Sequence, residues 1–202
     1  AELNELGIDT IAEYAYGFGF GEKTGFPLNG ESSGRVPTKE WHRKNSPNGY
    51  QYGFALNTVL GQGDTLVTPL QVALAYGAIA NGGTLYYPQI VDAIQNDEGE
   101  PLFEFEPKVR KRVDIEDRTL SQIREGLRMA VNEDGGTAYS VRLDDVEVSG
   151  KTGTAQVHNM GAVRIANRDK EFQLRDHAWF AAYAPTDNPE IVAVVFLEHA
   201  GH

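Results

Sequence analysis

The chain has no cysteine among its 202 residues, which excludes disulfides and thiol chemistry and is neutral about compartment. It is also short of positive charge: 18 lysines and arginines stand against 29 aspartates and glutamates, for a formal net charge of −11. A nucleic-acid surface draws most of its affinity from a basic patch, so no nucleic-acid partner is expected. No apolar run approaches the roughly 20 residues that span a bilayer, and the start does not read as a signal peptide. The five histidines form no H-x-x-x-H pair, which leaves a zinc site little support. Neither a metal nor a cofactor is expected. Internal repeats and low-complexity tracts are absent too.

What is present suits one sizeable core: 41% hydrophobic residues and 10% aromatics place the chain among globular proteins. The apolar spacing around Ile8, Ile11 and Tyr14 predicts a helix capped by Asp9 and ended by Gly17–Gly21. Residues 21–50 are dense in Gly, Pro, Ser and Asn and read as a long irregular connection. Thr68-Pro69 predicts a helix start and Asn81-Gly82-Gly83 its stop, with enough alanine between for close packing on both sides. Leu85–Phe105 suggests a strand pair turning at Asp97–Gly99. A further helix, capped by Asp114 or Asp117, runs through Leu120, Ile123, Leu127 and Val131 to Glu133–Gly136. The last third reads as three strands, Glu147–Val157, His177–Ala184 and Ile191–Leu197, the last two forming an antiparallel hairpin across Pro185–Pro189. The polar stretch 158–176 carries Arg164, Arg168, Lys170 and Arg175 and is expected to be a solvated, mobile loop, with a lid or partner surface as the alternative. The class is α+β, an antiparallel sheet with surrounding helices.

The chemistry concentrates in Val146–Val157. Val146 and Val148 alternate with Glu147 and Ser149 as in a half-buried strand. Two glycines and several hydroxyls then surround a single cation, Lys151. Glycine inside a strand marks close approach of a ligand or backbone, and a cation with threonine hydroxyls and N–H groups suits a carboxylate or an oxyanion. Ser149-Gly-Lys-Thr152 is not a phosphate loop, because G-x-x-x-x-G-K-[ST] needs glycine where Asp145 stands. The residues after Lys151 also read as extended rather than helical.

Lys151-Thr152-Gly153 instead matches the K-T-G strand of penicillin-recognising serine acyl-transferases. The three letters alone are weak, since Lys23-Thr24-Gly25 repeats them in a loop. The context is specific: Gly7–Glu13, Gly21–Gly25, Val36–Trp41, Gly61-Gln-Gly63, Thr68-Pro-Leu-Gln71, Gly136-Thr-Ala138, Ser149–Gln156 and Arg175–Phe180 follow in the family's order. On these stretches the chain resembles the C-terminal part of a class B penicillin-binding protein of the penicillin-binding protein 2 type. The resemblance implies a partial transpeptidase fold of the serine β-lactamase-like kind and D,D-transpeptidase activity on peptidoglycan stem peptides. It implies β-lactams as covalent ligands of the same site. Lys151 would support the proton network of the nucleophile and attract the substrate's terminal carboxylate. Thr152 and Thr154 would bind that carboxylate, the Thr154 N–H would supply half of an oxyanion hole, and Gly153 would keep the strand edge bare.

The family's S-x-x-K nucleophile motif is missing. The residues three places before the lysines are Phe20, Val36, Trp41, Phe105, Lys108, Val148 and Asn167. Ser46-Pro-Asn48 has the letters of the second motif in the wrong order along the chain and reads as a turn. Residues 1–202 are therefore expected to be the C-terminal portion of one transpeptidase domain, inactive alone, with the nucleophile and a final helix outside the segment. A bacterial inner-membrane tether, an extracytoplasmic site and a glycosyltransferase partner are what the resemblance implies for the full chain. Two alternatives stand: a serine β-lactamase or β-lactam sensor, and a non-catalytic peptidoglycan-peptide binding module. His177 is expected to be structural, Trp179 and Phe180 core, and Thr68, Gln71 and Gly61–Gly63 architectural, with the Gly61 loop a candidate border of the cleft. Gly136-Thr137 is expected to shape the approach to the sheet.

Overall fold

The computed structural model describes residues 7–27, 29–157 and 166–201. Among them are five α-helices: α1 (Ile8–Gly17), α2 (Lys39–Asn45), α3 (Tyr52–Val59), α4 (Pro69–Ala80) and α5 (Asp117–Asn132). Seven strands form three antiparallel sheets: β1 (Thr84–Tyr86) with β4 (Val109–Arg112), β2 (Ala93–Gln95) with β3 (Pro101–Glu104), and a main sheet β5 (Ser149–Ala155), β6 (His177–Ala184), β7 (Ile191–Leu197).

Helix α4 is the element around which the rest is fastened. Thr68 and Gln71 form a reciprocal capping box: the Gln71 N–H donates to Thr68 Oγ1 and the Thr68 N–H to Gln71 Oε1. The Gln71 amide then donates to the carbonyls of Glu22 at 2.9 Å and Ser33 at 2.8 Å. A buried glutamine with every bond made thus ties the irregular 22–35 segment to the helix start. The alanines do what their density implies, since α4 packs against β1 on one side and β6 and β7 on the other. A small core of Ala78, Leu85 and Val113, flanked by Phe18, Leu74 and Ile115, fills the β1 side.

In the main sheet Ser149, Lys151, Gly153 and Ala155 stand opposite Tyr183, Ala181, Trp179 and His177. Paired residues share a face, and Val192, Val194 and Phe196 of β7 continue it. This is the face that α4 covers: a Cβ on Gly77 would lie 3.9 Å from Val192. Strand β5 is an edge of the sheet as described, and α5 packs beside it, with Asn132 Nδ2 donating to the Val148 carbonyl at 2.8 Å.

Several expectations need correction. Asp9 does not cap α1, whose N-cap is Gly7. Its carboxylate accepts from the Lys39 N–H at 2.8 Å and so serves the start of α2. The 21–50 connection is not irregular throughout, since α2 lies inside it behind its own N-cap, Thr38. Glu116, not Asp114 or Asp117, occupies the N-cap of α5. The turn after Asn96 joins β2 and β3 as expected, but Leu85 belongs to β1, which pairs with β4 across that hairpin. Strand β5 is shorter than 147–157, because the carbonyls of Glu147 and Val148 are taken by Thr186 and Asn132 rather than by a ladder. Residues 158–165 of the basic loop lie outside the described residues. In its remainder Glu171–Leu174 is exposed, as expected, but the stretch is pinned at Lys170, whose Nζ meets Asp176 Oδ1 at 2.9 Å with both side chains at least nine-tenths buried.

Candidate active site

The K-T-G residues lie on β5, with Lys151, Thr152 and Gly153 exposed and Thr154 half-buried. Lys151 Nζ donates to Thr137 Oγ1 at 3.1 Å, to Thr152 Oγ1 at 3.2 Å and to the Thr152 carbonyl at 3.1 Å. The Thr152 hydroxyl donates to Thr137 Oγ1 at 3.1 Å. A cation and two hydroxyls therefore converge at the rim of an edge strand, an arrangement able to hold a carboxylate. The strand runs on extended past Lys151, as the exclusion of a phosphate loop requires.

Backbone direction matters as much as side chains. Gln62 Nε2 donates to the Thr154 carbonyl at 2.6 Å, and the Gln156 N–H donates to Gln62 Oε1 at 3.3 Å. Alternate residues of a strand turn their polar groups to opposite sides. Thr152, Thr154 and Gln156 therefore present theirs to the open edge, while Lys151, Gly153 and Ala155 serve β6.

Beside this edge is a cleft of about 460 Å³. Lys151–Ala155, His177, Trp179, Ala181 and Phe196 form its floor, Val72 and Tyr76 of α4 one wall, and Leu60, Gly61 and Thr65–Val67 the other. Burial pushes the Tyr76 phenol up to about 12, reinforced by Tyr183, so this wall is neutral at physiological pH. A Cβ on Gly153 would come within 3.3 Å of Trp179 Cβ. The glycine thus leaves room for the indole as well as baring the strand. Trp179 and Phe180 are half-buried rather than core, and the Trp179 ring lies tilted against Phe196 in the cleft floor, centroids 4.4 Å apart. His177 has the structural role expected of it: its Nδ1 accepts from the His199 N–H at 3.0 Å.

The decoys separate cleanly. Thr24 and Gly25 donate to the Glu31 carboxylate through both backbone N–H groups, and Thr24 adds its hydroxyl. The first K-T-G is thus already filled by a carboxylate of the chain itself. Ser46 ends α2, bonds His42 Nδ1 at 3.0 Å and accepts from the Gly49 N–H. It is the turn former expected, and it does not line the cleft.

The penicillin binding protein transpeptidase domain family matches residues 2–202. The chain belongs to that family. It is 35% identical over 201 residues to the peptidoglycan D,D-transpeptidase MrdA of Haemophilus influenzae, covering 97% of this chain and 30% of that protein. Penicillin-binding protein 2 of Helicobacter pylori, solved in complex with MreC, superposes with a TM-score of 0.77 at 31% identity, over 96% of this chain and 33% of that one. Penicillin-binding protein 2 of Pseudomonas aeruginosa, solved with WCK 5153, gives 0.74 at 30% identity, over 96% and 40%. The chain thus spans about three-tenths of the length of the curated relative. The partial transpeptidase fold and the penicillin-binding protein 2 type are both what the residue pattern implied. Two contacts of β5 go beyond the sequence pattern. Thr137, which meets Lys151, is signalled only by its place after the Gly135-Gly136 turn. Gln62 has no local signal that points to a strand 92 residues away.

Proposed function

We propose that this chain is the C-terminal portion of a peptidoglycan D,D-transpeptidase domain and supplies the carboxylate-binding wall of its active site. The observation that carries the reading is the Lys151, Thr152 and Thr137 cluster on an open strand edge beside an apolar cleft. The terminal carboxylate of a D-Ala-D-Ala peptide sits on Lys151 and the hydroxyls of Thr152 and Thr154, and the peptide lies along β5 as an added strand. A serine from outside these residues attacks the penultimate D-Ala carbonyl; the terminal D-Ala leaves with a proton. The amine of a second stem peptide then attacks the acyl-enzyme, and the serine oxygen regains its proton. The Thr154 N–H, on the edge that receives the reacting carbonyl, serves as one of two oxyanion donors; such a donor is worth about 2.7–4 kcal/mol of barrier.

β-Lactams, which carry a carboxylate beside a strained amide, acylate the same serine. Among the described residues no helix is long and apolar enough to cross a membrane; an inner-membrane tether and an extracytoplasmic location are proposed for the natural polypeptide. The MreC complex of the H. pylori relative favours a protein partner for that polypeptide, and a glycosyltransferase partner is proposed with it.

The test is covalent labelling of the natural polypeptide with a fluorescent penicillin, followed by peptide mapping. Stable label on a serine outside residues 1–202, lost in Lys151→Ala, is expected. Rapid release of the label marks a β-lactamase, and absence of label marks a non-catalytic binding module. Stable label on residues 1–202 alone would mean that a serine of this chain is the nucleophile.

A further inference from the structure

Gln62 makes an unusual pair of contacts. Its carboxamide gives a donor to the Thr154 carbonyl and an acceptor to the Gln156 N–H. These are groups, two residues apart on the outer side of β5, that an added partner strand would engage. A primary carboxamide presents a donor and an acceptor on one side, so the Gln62 side chain fills both edge positions at once. An exposed strand edge is a template for unwanted pairing, and Gln62 covers part of this one.

The contact is also built to release. The backbone of Gln62 stays anchored, its N–H donating to the Asn57 carbonyl at 2.9 Å. Flanking Gly61 and Gly63, at φ +70° and +80°, set the turn that holds it. The side chain is only half-buried. Rotation about its own torsions clears both edge groups without moving the loop, and the apolar cleft wall of Leu60, Thr65 and Leu66 stays in place.

We propose that Gln62 is a displaceable latch on the β5 edge, which holds the backbone positions of a bound peptide until the ligand takes them. The proposal rests on the transpeptidase reading and adds the step by which the site opens. A ligand with an amide beside its carboxylate replaces the bond to the Thr154 carbonyl with its own N–H; one without that amide does not.

The natural polypeptide is compared with its Gln62→Ala and Gln62→Met variants, the second keeping the side chain's length without either bond. Acylation by a fluorescent acylamino-penicillin is followed over a range of concentrations. Both variants are expected to acylate about tenfold faster at low concentration, through tighter initial binding and an unchanged limiting rate. 6-Aminopenicillanic acid, which has no side-chain amide and is measured by competition, gains nothing. Wild-type rates in the Met variant, slower labelling in either variant, or an equal gain for 6-aminopenicillanic acid overturns the latch while leaving the transpeptidase reading intact. Failure of all three proteins to label overturns that reading itself.

Discussion

Lys151 Nζ donates to Thr137 Oγ1 at 3.1 Å, across 14 residues of sequence. The contact fixes the direction of a side chain with four rotatable carbons, whose ammonium otherwise samples a wide arc. Thr137 accepts from Thr152 as well, so one hydroxyl aligns the two groups proposed to bind the carboxylate. Thr137→Val keeps the shape and removes the acceptor. Penicillin acylation by the natural polypeptide is expected to fall about fivefold, roughly the worth of one hydrogen bond. Thr137→Ser retains the rate. Because the site is exposed, the melting temperature should hardly move; a wild-type rate in the valine variant would show the contact to be incidental.

Lys151 itself supplies charge. Lys151→Ala is expected to lower the acylation rate about 100-fold or more, in the range seen when a transition-state partner is removed. A second readout isolates the carboxylate contact. The ammonium is exposed, so its attraction is screened by salt, and the wild-type rate should decline between low and high ionic strength. The alanine variant should lose most of that dependence. An equally steep salt response in both proteins would move the carboxylate to another cation.

The legible parts of the chain were those where local chemistry is decisive. Thr68-Pro69 and Gln71 encode a cap within four residues, and β6 and β7 are contiguous apolar runs around a Pro-rich turn. Ser149–Gln156 is legible because two glycines and several hydroxyls surround a single lysine, among other stretches in the family's order. Boundaries failed where a distant group decided them. Glu147 and Val148 alternate like strand residues, yet their carbonyls go to Thr186 and Asn132. Helix α2 is short, and it starts where the Lys39 N–H meets Asp9, 30 residues earlier. Gln62 is the extreme case, since its role depends on a loop and a strand edge meeting.

Gly150 shows how tightly β5 is set against its neighbour. A Cβ there would lie 2.7 Å from the Ala182 methyl and 2.8 Å from the Ala181 carbonyl oxygen. Backbone cannot yield as a long side chain can, so Gly150→Ala must push β5 and β6 apart. The expected cost is about 1–3 kcal/mol, read as a lower melting temperature, with weakened penicillin labelling because Lys151 follows directly. Gly82→Ala offers a comparison for backbone strain alone, because it has a positive φ and open space around it. It should be milder and leave labelling unchanged.

Glu31 gives a pH test that does not depend on the active site. Burial pushes its carboxyl up, but the Thr24 hydroxyl, the N–H groups of Thr24 and Gly25 and the charge of Lys23 outweigh this and hold it below its ordinary 4.5. A carboxyl whose pKa is lower folded than unfolded stabilises the fold above the unfolded value. That contribution fades as pH falls through the folded one. Glu31→Gln should therefore cost about 1 kcal/mol at pH 7, allowing for solvent screening. The gap between wild type and variant should narrow as pH falls below the ordinary 4.5 and through the lower folded value. Denaturant unfolding of both proteins from pH 7 to pH 3 measures it. A gap that persists undiminished at pH 3 would mean that the carboxylate charge contributes nothing, and that the Lys23-Thr24-Gly25 loop is held by packing alone.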